Sequence, residues 1–470
     1  MVELVQIGEY VWEKSVGDEG QDVYVAQFIV DQDDILGKYV DEDSYDIVID
    51  KDTDFYLSPN DMTGTTDKFS EEQVAFKFRK NVFTEEEQQG AIDGLWDAAV
   101  ESNNRGMAAG PRSETQASRD WVTPFQSDIL DYYAKGQPQA VDGSDQIQSL
   151  IEKHKTAKYE TRGEVWLRTK VEAEFGTYTN FFPLAMEQLA ELPTDEATAY
   201  AKMIKSKMIS GTSYASAIWS GIAGYYGRYP RIPYGRATAY TEHNPEKFAK
   251  SYPFARKLEA EFARMLPKRH AKQKAFADRL DKKFLIGEDT TFTTITVNTT
   301  TGERNARMAC HRDAGSLNEG FSNLTVVTRE GKSWKGGYLV TPEVRAAINI
   351  RPGDLLLVDN MRIIHGNTPI LAPESGEQDM LRMSLVYYFR EDMDKLGSWD
   401  YEHHRRAFVD YRRLNKEHPE WREYWNGVSP SMWSTQEWYD YLEANGGKDM
   451  VEEYHPEAYD RPVSLEGFFS

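Results

Sequence analysis

The chain has 470 residues, 40% hydrophobic and 13% aromatic, with a formal net charge of −22 and a single cysteine, Cys310. That length suggests two or three domains, or one elaborated catalytic domain with flanking pieces, and the apolar fraction can build a sizeable core. With no run of about eighteen apolar residues, no basic and apolar leader in MVELVQIGEY and one cysteine, the sequence excludes a membrane span, a secretory signal and a disulfide framework, so a cytoplasmic protein is expected.

The charge is unevenly spread. Residues 1–60 hold 16 acidic and 3 basic side chains, whereas 221–290 hold 15 basic and 8 acidic ones. Such asymmetry bears on partners and not on fold.

In chain order, residues 1–70 read as an acidic segment of short strands (VELVQIG, VYVAQFIV, YDIVI) between acidic turns. Residues 71–215 read as mainly helical and packed on the core. TEEEQQGAIDGLWDAAVES has the acidic first turn that favours a helix N-terminus, and NNRGMAAGPR is a Gly-rich loop. Residues 216–245 are punctuated by Gly and Pro and crowded with Tyr and Arg. A basic amphipathic helical pair is expected over 246–283.

From TFTTITVN the texture changes to β-branched runs broken by Gly and Pro: NLTVVTRE, GGYLVTPE, AAINIRPGD, LLLVDN, RIIHGN and MSLVYYFR. Closely spaced strands with tight turns predict a sandwich or jelly roll over 216–395. Residues 396–470 read as helical and rich in Trp, Tyr and acids. The expected fold class is therefore α+β: a sandwich or jelly-roll core, surrounding helices, a β-rich N-terminal segment and a helical C-terminal region.

The chemistry concentrates in MACHRDAGSLNEGF, IIHGNTPI and LRMSLVYYF. His311 and Asp313 are two apart, so on a strand both point to one side. His365 follows after 52 further residues, and Arg382-x-Ser384 begins 17 beyond that. Two imidazoles and one carboxylate with open positions form the ligand set of non-haem Fe(II) oxygenases. Zinc is the less natural occupant, since it favours closed or Cys/His-rich sets. The bland alternative is three unrelated polar residues, with His365 a hydrogen-bonded turn residue.

Arg382 offers the planar, permanently charged fork that suits the distal carboxylate of 2-oxoglutarate, and Ser384 faces the same side of the strand. Arg307, four residues before His311, and Asn305 could reach the 1-carboxylate, or be solvated loop residues. YPRIPYGRATAYT interleaves aromatics with arginines, as stacking on a flipped base and contacts to its phosphates require, or as a packed loop with an arginine rim would also show.

With these motifs in hand, the chain resembles the TET/JBP family of Fe(II)- and 2-oxoglutarate-dependent nucleic-acid base dioxygenases, most closely the branch carried by phages and the kinetoplastid J-binding proteins. The resemblance rests on YPRIPYGRATAYT, FTTITVN, NARMACHRDAGSLNEGFSNLTVV, KGGYLVTPEVRAAINIRPGDLLLVDN, HGNTP and RMSLVYYFRE, in family order over about residues 216–392. It implies a double-stranded β-helix with His311, Asp313 and His365 as iron ligands, Arg382 and Ser384 on 2-oxoglutarate, and Arg307 assisting there. It places Arg236 in an Arg-rich substrate loop, with Thr238 and Tyr240 of the same segment as further base contacts. The implied reaction uses Fe(II), 2-oxoglutarate and dioxygen to oxidise the 5-methyl group of thymine or 5-methylcytosine in DNA. A phage-encoded chain would act in the host cytoplasm.

Two departures bear on the base. Relatives often carry an acidic-His-Glu-Trp pattern where this chain has DNMRIIH, and an acid where it has Ser316. A flipped base is required because the methyl group lies in the major groove, out of reach of a buried metal. The basic window is the expected site of backbone contacts. The acidic front segment is expected either to bind a protein partner or to discourage non-specific DNA contact. Two alternatives stay open: a 2-oxoglutarate-dependent hydroxylase of a free nucleotide, protein side chain or small molecule, and a non-catalytic DNA-binding protein on a jelly-roll scaffold.

Overall fold

A computed structural model describes residues 2–30, 35–58, 67–100, 108, 218–229, 232–301, 306–329, 333–371, 380–414 and 435–446. Asn305, most of the expected helical stretch 71–215 and much of 396–470 lie outside them. By its contacts the chain divides into Met1–Ser102 with Ala217–Ser464, and Asn103–Ser216 with Leu465–Ser470. The described strands and helices all belong to the first unit.

Its N-terminal strands are β1 (Glu3–Ile7), β2 (Tyr10–Val16), β3 (Asp22–Ala26), β4 (Ile47–Ile49), β5 (Thr53–Leu57) and β6 (Val74–Arg79). After the large gap come β7 (Ile218–Tyr226), β8 (Arg236–Ala237), β9 (Thr294–Thr301), β10 (Ser322–Val327), β11 (Lys335–Gly336) and β12 (Leu339–Thr341). The series ends with β13 (Ala346–Ile348), β14 (Leu355–Val358), β15 (Gly366–Asn367), β16 (Ile370–Leu371) and β17 (Met380–Tyr388). The described helices are α1 (Glu85–Leu95), α2 (Ala239–His243), α3 (Pro245–Ala249), α4 (Tyr252–Met265), α5 (Pro267–Ala277), α6 (Trp399–Leu414) and α7 (Thr435–Ala444).

Among the described residues the strands form one eleven-stranded sheet in the order β1-β2-β3-β5-β6-β14-β10-β17-β9-β7-β8. A four-stranded sheet runs β15-β12-β13-β4, and β11 pairs with β16. Most pairings are antiparallel; β3 with β5 and β4 with β13 are parallel.

The period of two decides which side chain faces where. Leu324, Val326, Leu356, Val358 and Val386 pack inward with Leu339, Ala346 and Ile348 of the small sheet. The alternate residues Leu355, Leu357, Met383, Leu385 and Tyr387 pack outward with Ile92 and Leu95 of α1 and Phe254, Leu258 and Phe262 of α4. A helix forms at α1 because Thr84 and Glu87 close a reciprocal capping box on each other's backbone N–H groups. Two sheets sharing an inner core, with helices over the outer face of the larger, is the jelly-roll arrangement expected.

Two readings need amending. The acidic residues 1–70 do not stand apart as a segment of their own: β1, β2, β3 and β5 extend the large sheet and β4 extends the small one. The stretch from 71 opens with a strand, β6, which joins that extension to β14. The acids also meet the basic helices. Glu19 pairs with Arg264 at 2.6 Å, Glu72 with Lys272 at 3.1 Å, and the Glu71 carboxylate accepts the Lys268 and Arg269 N–H groups at the start of α5. Within the window Arg256 meets Asp289 and Lys274 meets Asp278, and Arg279 meets Asp394 outside it. Much of the positive excess at 221–290 is therefore answered by carboxylates, and the expectation of a free basic surface there is weakened.

Candidate metal centre

His311 and His365 meet through their backbones. Each N–H donates to the other's carbonyl, at 2.9 and 3.0 Å, an isolated antiparallel bridge and not the regular strand expected for His311-x-Asp313. The pairing continues where the Asn367 N–H donates to the Met308 carbonyl at 3.0 Å and the Asn367 side chain accepts the Met308 N–H at 2.8 Å. Gly366 permits this approach, since a Cβ there would stand 3.1–3.3 Å from the main chain of 308–310. The HGN motif thus presses two distant segments together.

The bridge puts the imidazole centroids 4.3 Å apart. Asp313 Oδ1 lies 3.4 Å from His311 Nε2 and 3.8 Å from His365 Nε2. One ligand atom from each of the three falls within 4.8 Å of the others, the one such group found among the described residues. His311 Nδ1 faces the Ala309 carbonyl at 2.8 Å and His365 Nδ1 faces that of Ile363 at 3.2 Å. A carbonyl only accepts, so Nδ1 carries the proton and each Nε2 presents a lone pair toward Asp313.

Burial pushes the Asp313 carboxyl up, but the two imidazoles and the Asn360 amide outweigh it and hold the group at about 2. Burial, reinforced by the neighbouring His311, pushes His365 down to about 4. His365 is thus held neutral and Asp313 as a carboxylate anion at neutral pH, the states a divalent cation binds.

Three supporting residues carried no signal in the sequence. The Asn360 amide donates to Asp313 Oδ2 at 3.0 Å, and its carbonyl accepts the Asp313 N–H at 2.9 Å, leaving Oδ1 toward the histidines. Glu343 accepts the Ile364 N–H at 2.6 Å and Arg312 at 2.7 Å, while Arg312 also donates to the Arg362 carbonyl. Arg312 and Glu343 tie the segment bearing His311 and Asp313 to the one bearing His365.

Arg382 and Ser384 lie on the inward face of β17, with Val386 and Tyr388 beyond them. Arg382 is buried, and its Nε has no hydrogen-bond partner among the described residues. Burial, with Arg351 nearby, pulls its pKa down to about 10. Trp334 stands between the two cations, its centroid 5.9 Å from the Arg382 guanidinium and 5.4 Å from that of Arg351. The indole Nε1 is likewise buried without a hydrogen-bond partner among the described residues. A buried cation left this way is costly, and an anion with acceptor oxygens would relieve it.

A second cluster borders the metal group. Arg236 stacks on Tyr226 at 4.9 Å and Tyr229 at 5.6 Å, and Arg390 stacks on the same rings at 4.8 and 5.3 Å. Arg390 also bonds the Tyr229 hydroxyl and reaches that of Tyr388 at 3.4 Å, and its backbone bridges to Ser316. Burial raises the Tyr388 phenol, and Arg390 opposes this.

The structure brings Arg236 and Ser316 into this cluster but gives other candidates different work. The Thr238 hydroxyl caps α2 by accepting the Thr241 N–H at 3.3 Å. The Tyr240 hydroxyl donates to the Gly94 carbonyl at the end of α1 at 2.7 Å, and its ring packs on the outer-face core. The Arg307 guanidinium stacks on Tyr39 at 3.9 Å.

A Tet/JBP family model, described as the oxygenase domain of the 2OGFeDO superfamily, matches residues 221–391. The chain is 31% identical over 201 residues to the bifunctional helicase and thymine dioxygenase JBP2 of Leishmania infantum, covering 42% of this chain and 17% of that protein. It is 26% identical over 219 residues to the thymine dioxygenase JBP1 of Crithidia fasciculata, covering 46% of this chain and 24% of that one. The matches therefore span about a quarter or less of these relatives. Among solved structures, NgTET1 in complex with 5mC DNA is similar at a TM-score of 0.30 and 14% identity, over 44% of this chain and 72% of that one. No helix among the described residues is long and apolar enough to cross a membrane. On the domain match and the ordered motifs, residues 221–391 are similar to the oxygenase domain of the TET/JBP family.

Proposed function

We propose that the chain is an Fe(II)- and 2-oxoglutarate-dependent dioxygenase that hydroxylates the 5-methyl group of a pyrimidine in DNA, with thymine the favoured base and 5-methylcytosine next. The observation that carries this reading is the convergence of His311, His365 and Asp313, with one ligand atom of each within 4.8 Å of the others. Two imidazole nitrogens and one carboxylate oxygen fit ferrous iron and leave positions for a chelating 2-oxo acid and dioxygen. The unpaired, buried Arg382 Nε fits the distal carboxylate of 2-oxoglutarate.

When bound, the metal and co-substrate supply the oxidation of the methyl C–H bond, with 2-oxoglutarate converted to succinate and carbon dioxide. The protein's part is to hold and orient. Asn360 keeps Asp313 Oδ1 toward the histidines, and the His311–His365 bridge fixes the imidazoles before any ligand arrives. Arg382 and Ser384 receive the co-substrate carboxylate. A methyl group is not acidic, so no general base is required. The Tyr226, Tyr229 and Tyr388 rings with Arg236 and Arg390 offer stacking faces and cations for an extruded nucleotide, whose unstacking costs about a few kcal/mol.

Thymine is favoured because the kinetoplastid relatives are named thymine dioxygenases. Mass spectrometry of nucleosides from thymine- and 5-methylcytosine-containing DNA, incubated with protein, iron and 2-oxoglutarate, tests the reading. Hydroxymethyluracil is the expected product, and succinate without any altered nucleoside would refute a DNA substrate. The carboxylate pairing of the basic helices favours a second reading, hydroxylation of a free nucleotide. Faster conversion of thymidine monophosphate than of a matched oligonucleotide would establish it.

A further inference from the structure

Tyr226, Tyr229 and Arg236 of the arginine–tyrosine cluster sit on a loop whose anchor lies elsewhere in the chain. The chain leaves β7 at Tyr226 and returns in β8 at Arg236, and between them Tyr229 and Ile232 exchange both main-chain hydrogen bonds at 2.9 Å. Both stems are held by one side chain, Glu402, which is fully buried in α6. Its Oε2 accepts the Gly235 N–H at 2.6 Å and the Arg228 Nε at 3.2 Å. Its Oε1 accepts a second Arg228 nitrogen and the Gly397 N–H at 3.0 Å. The fit is close: a Cβ on Gly235 would stand 2.7 Å from Leu396 and 3.2 Å from the Glu402 Cγ.

We propose that Glu402 is a positioning residue for the substrate face: by stapling the Arg228 and Gly235 stems it sets Arg236, Tyr226, Tyr229 and Arg390 against the metal centre. It touches neither metal nor substrate. It also lies beyond residue 391, where the family match ends, so the oxygenase domain borrows its substrate loop geometry from the C-terminal helix. The inference rests on the DNA substrate proposed for the same site. A buried carboxylate suits the task because two backbone N–H groups and a guanidinium converge on it from three segments, and charge-assisted bonds of this kind fix direction more firmly than neutral ones.

The test uses the full chain and Glu402→Gln, with the neutral pair Glu402→Gln/Arg228→Gln as the second variant, since an amide alone leaves Arg228 buried and uncompensated. Two quantities are read: the Kd of a fluorescent thymine-containing oligonucleotide by anisotropy, and iron-dependent 2-oxoglutarate turnover without DNA. Loss of loop geometry should weaken oligonucleotide binding about tenfold or more, with DNA-free turnover within about twofold of wild type. An unchanged Kd in both variants overturns the proposal. So does a parallel fall in DNA-free turnover, or failure of the neutral pair to fold, because either assigns Glu402 to the fold at large. A wild-type chain that binds the oligonucleotide but consumes no 2-oxoglutarate defeats the dioxygenase reading, while the comparison of Kd values still judges the role of Glu402.

Discussion

Strand β17 carries two kinds of buried residue on alternate positions. Outward, Met383 and Leu385 meet the apolar faces of α1 and α4 and are satisfied by packing, as is the Tyr387 ring, although its hydroxyl is buried without a hydrogen-bond partner among the described residues. Inward, Arg382, Ser384 and Tyr388 line the same strand on the side that holds the metal group, and there burial leaves the Nε of a charged guanidinium, Arg382, unsatisfied. One face stabilises; the other keeps a destabilising charge for a ligand to answer. The two faces should therefore respond to substitution in opposite ways.

The largest effect should come from Asp313→Ala, which removes the anion of the ligand set. Metal binding by calorimetry and turnover should fall to the limit of detection while the apo protein stays folded. Arg382→Met should cost about 2–5 kcal/mol in 2-oxoglutarate affinity, yet leave apo stability equal or higher, because an uncompensated buried cation is gone. A lower melting temperature for that variant would show that Arg382 holds the fold together and would erase the contrast.

Leu385→Ala is the mirror experiment. It should lower unfolding free energy by about 2–5 kcal/mol in denaturant titrations and leave the KM for 2-oxoglutarate unchanged. Asn360→Ala should weaken metal affinity about 10–100-fold through loss of the Asp313 orientation, with little change in melting. Smallest of all, Thr84→Ala should cost about 1 kcal/mol by uncapping α1 on the outer face, with no effect on catalysis.

The sequence made the inner-face chemistry more legible than its surroundings. His311, Asp313, His365 and Arg382 stand out because their residue types are chemically rare in that pattern. The residues that aim them do not: Asn360, Glu343 and Arg312 act through contacts between segments 21 to 50 positions apart, which no local spacing encodes. Arg390 escaped notice for the same reason.

Thr238 and Tyr240 err the other way. They follow Arg236 closely in the chain, but Thr238 caps the helix that starts at Ala239 and turns Tyr240 toward α1. Among the strands, β9, β10, β14 and β17 announce themselves by β-branched runs. β7 does not, because the glycines of IWSGIAGYY read as loop punctuation and only pairing with β9 along its length makes it a strand. The charge at the front of the chain was legible as a number but not as a destination, since Glu19 meets Arg264 while Asp46 meets Arg345 and Asp54 meets Lys77 and Arg79.

The junction of β6 with β14 has a practical consequence for anyone shortening this protein. Removing the first seventy residues would not lift off an accessory module. It would strip four strands from one layer and one from the other, leaving β6 and β13 as raw hydrogen-bonding margins beside uncovered Phe76, Phe78 and Ile348. Such margins recruit strands from other molecules, so the trimmed enzyme should precipitate or associate, and expression clones are better begun ahead of Glu3.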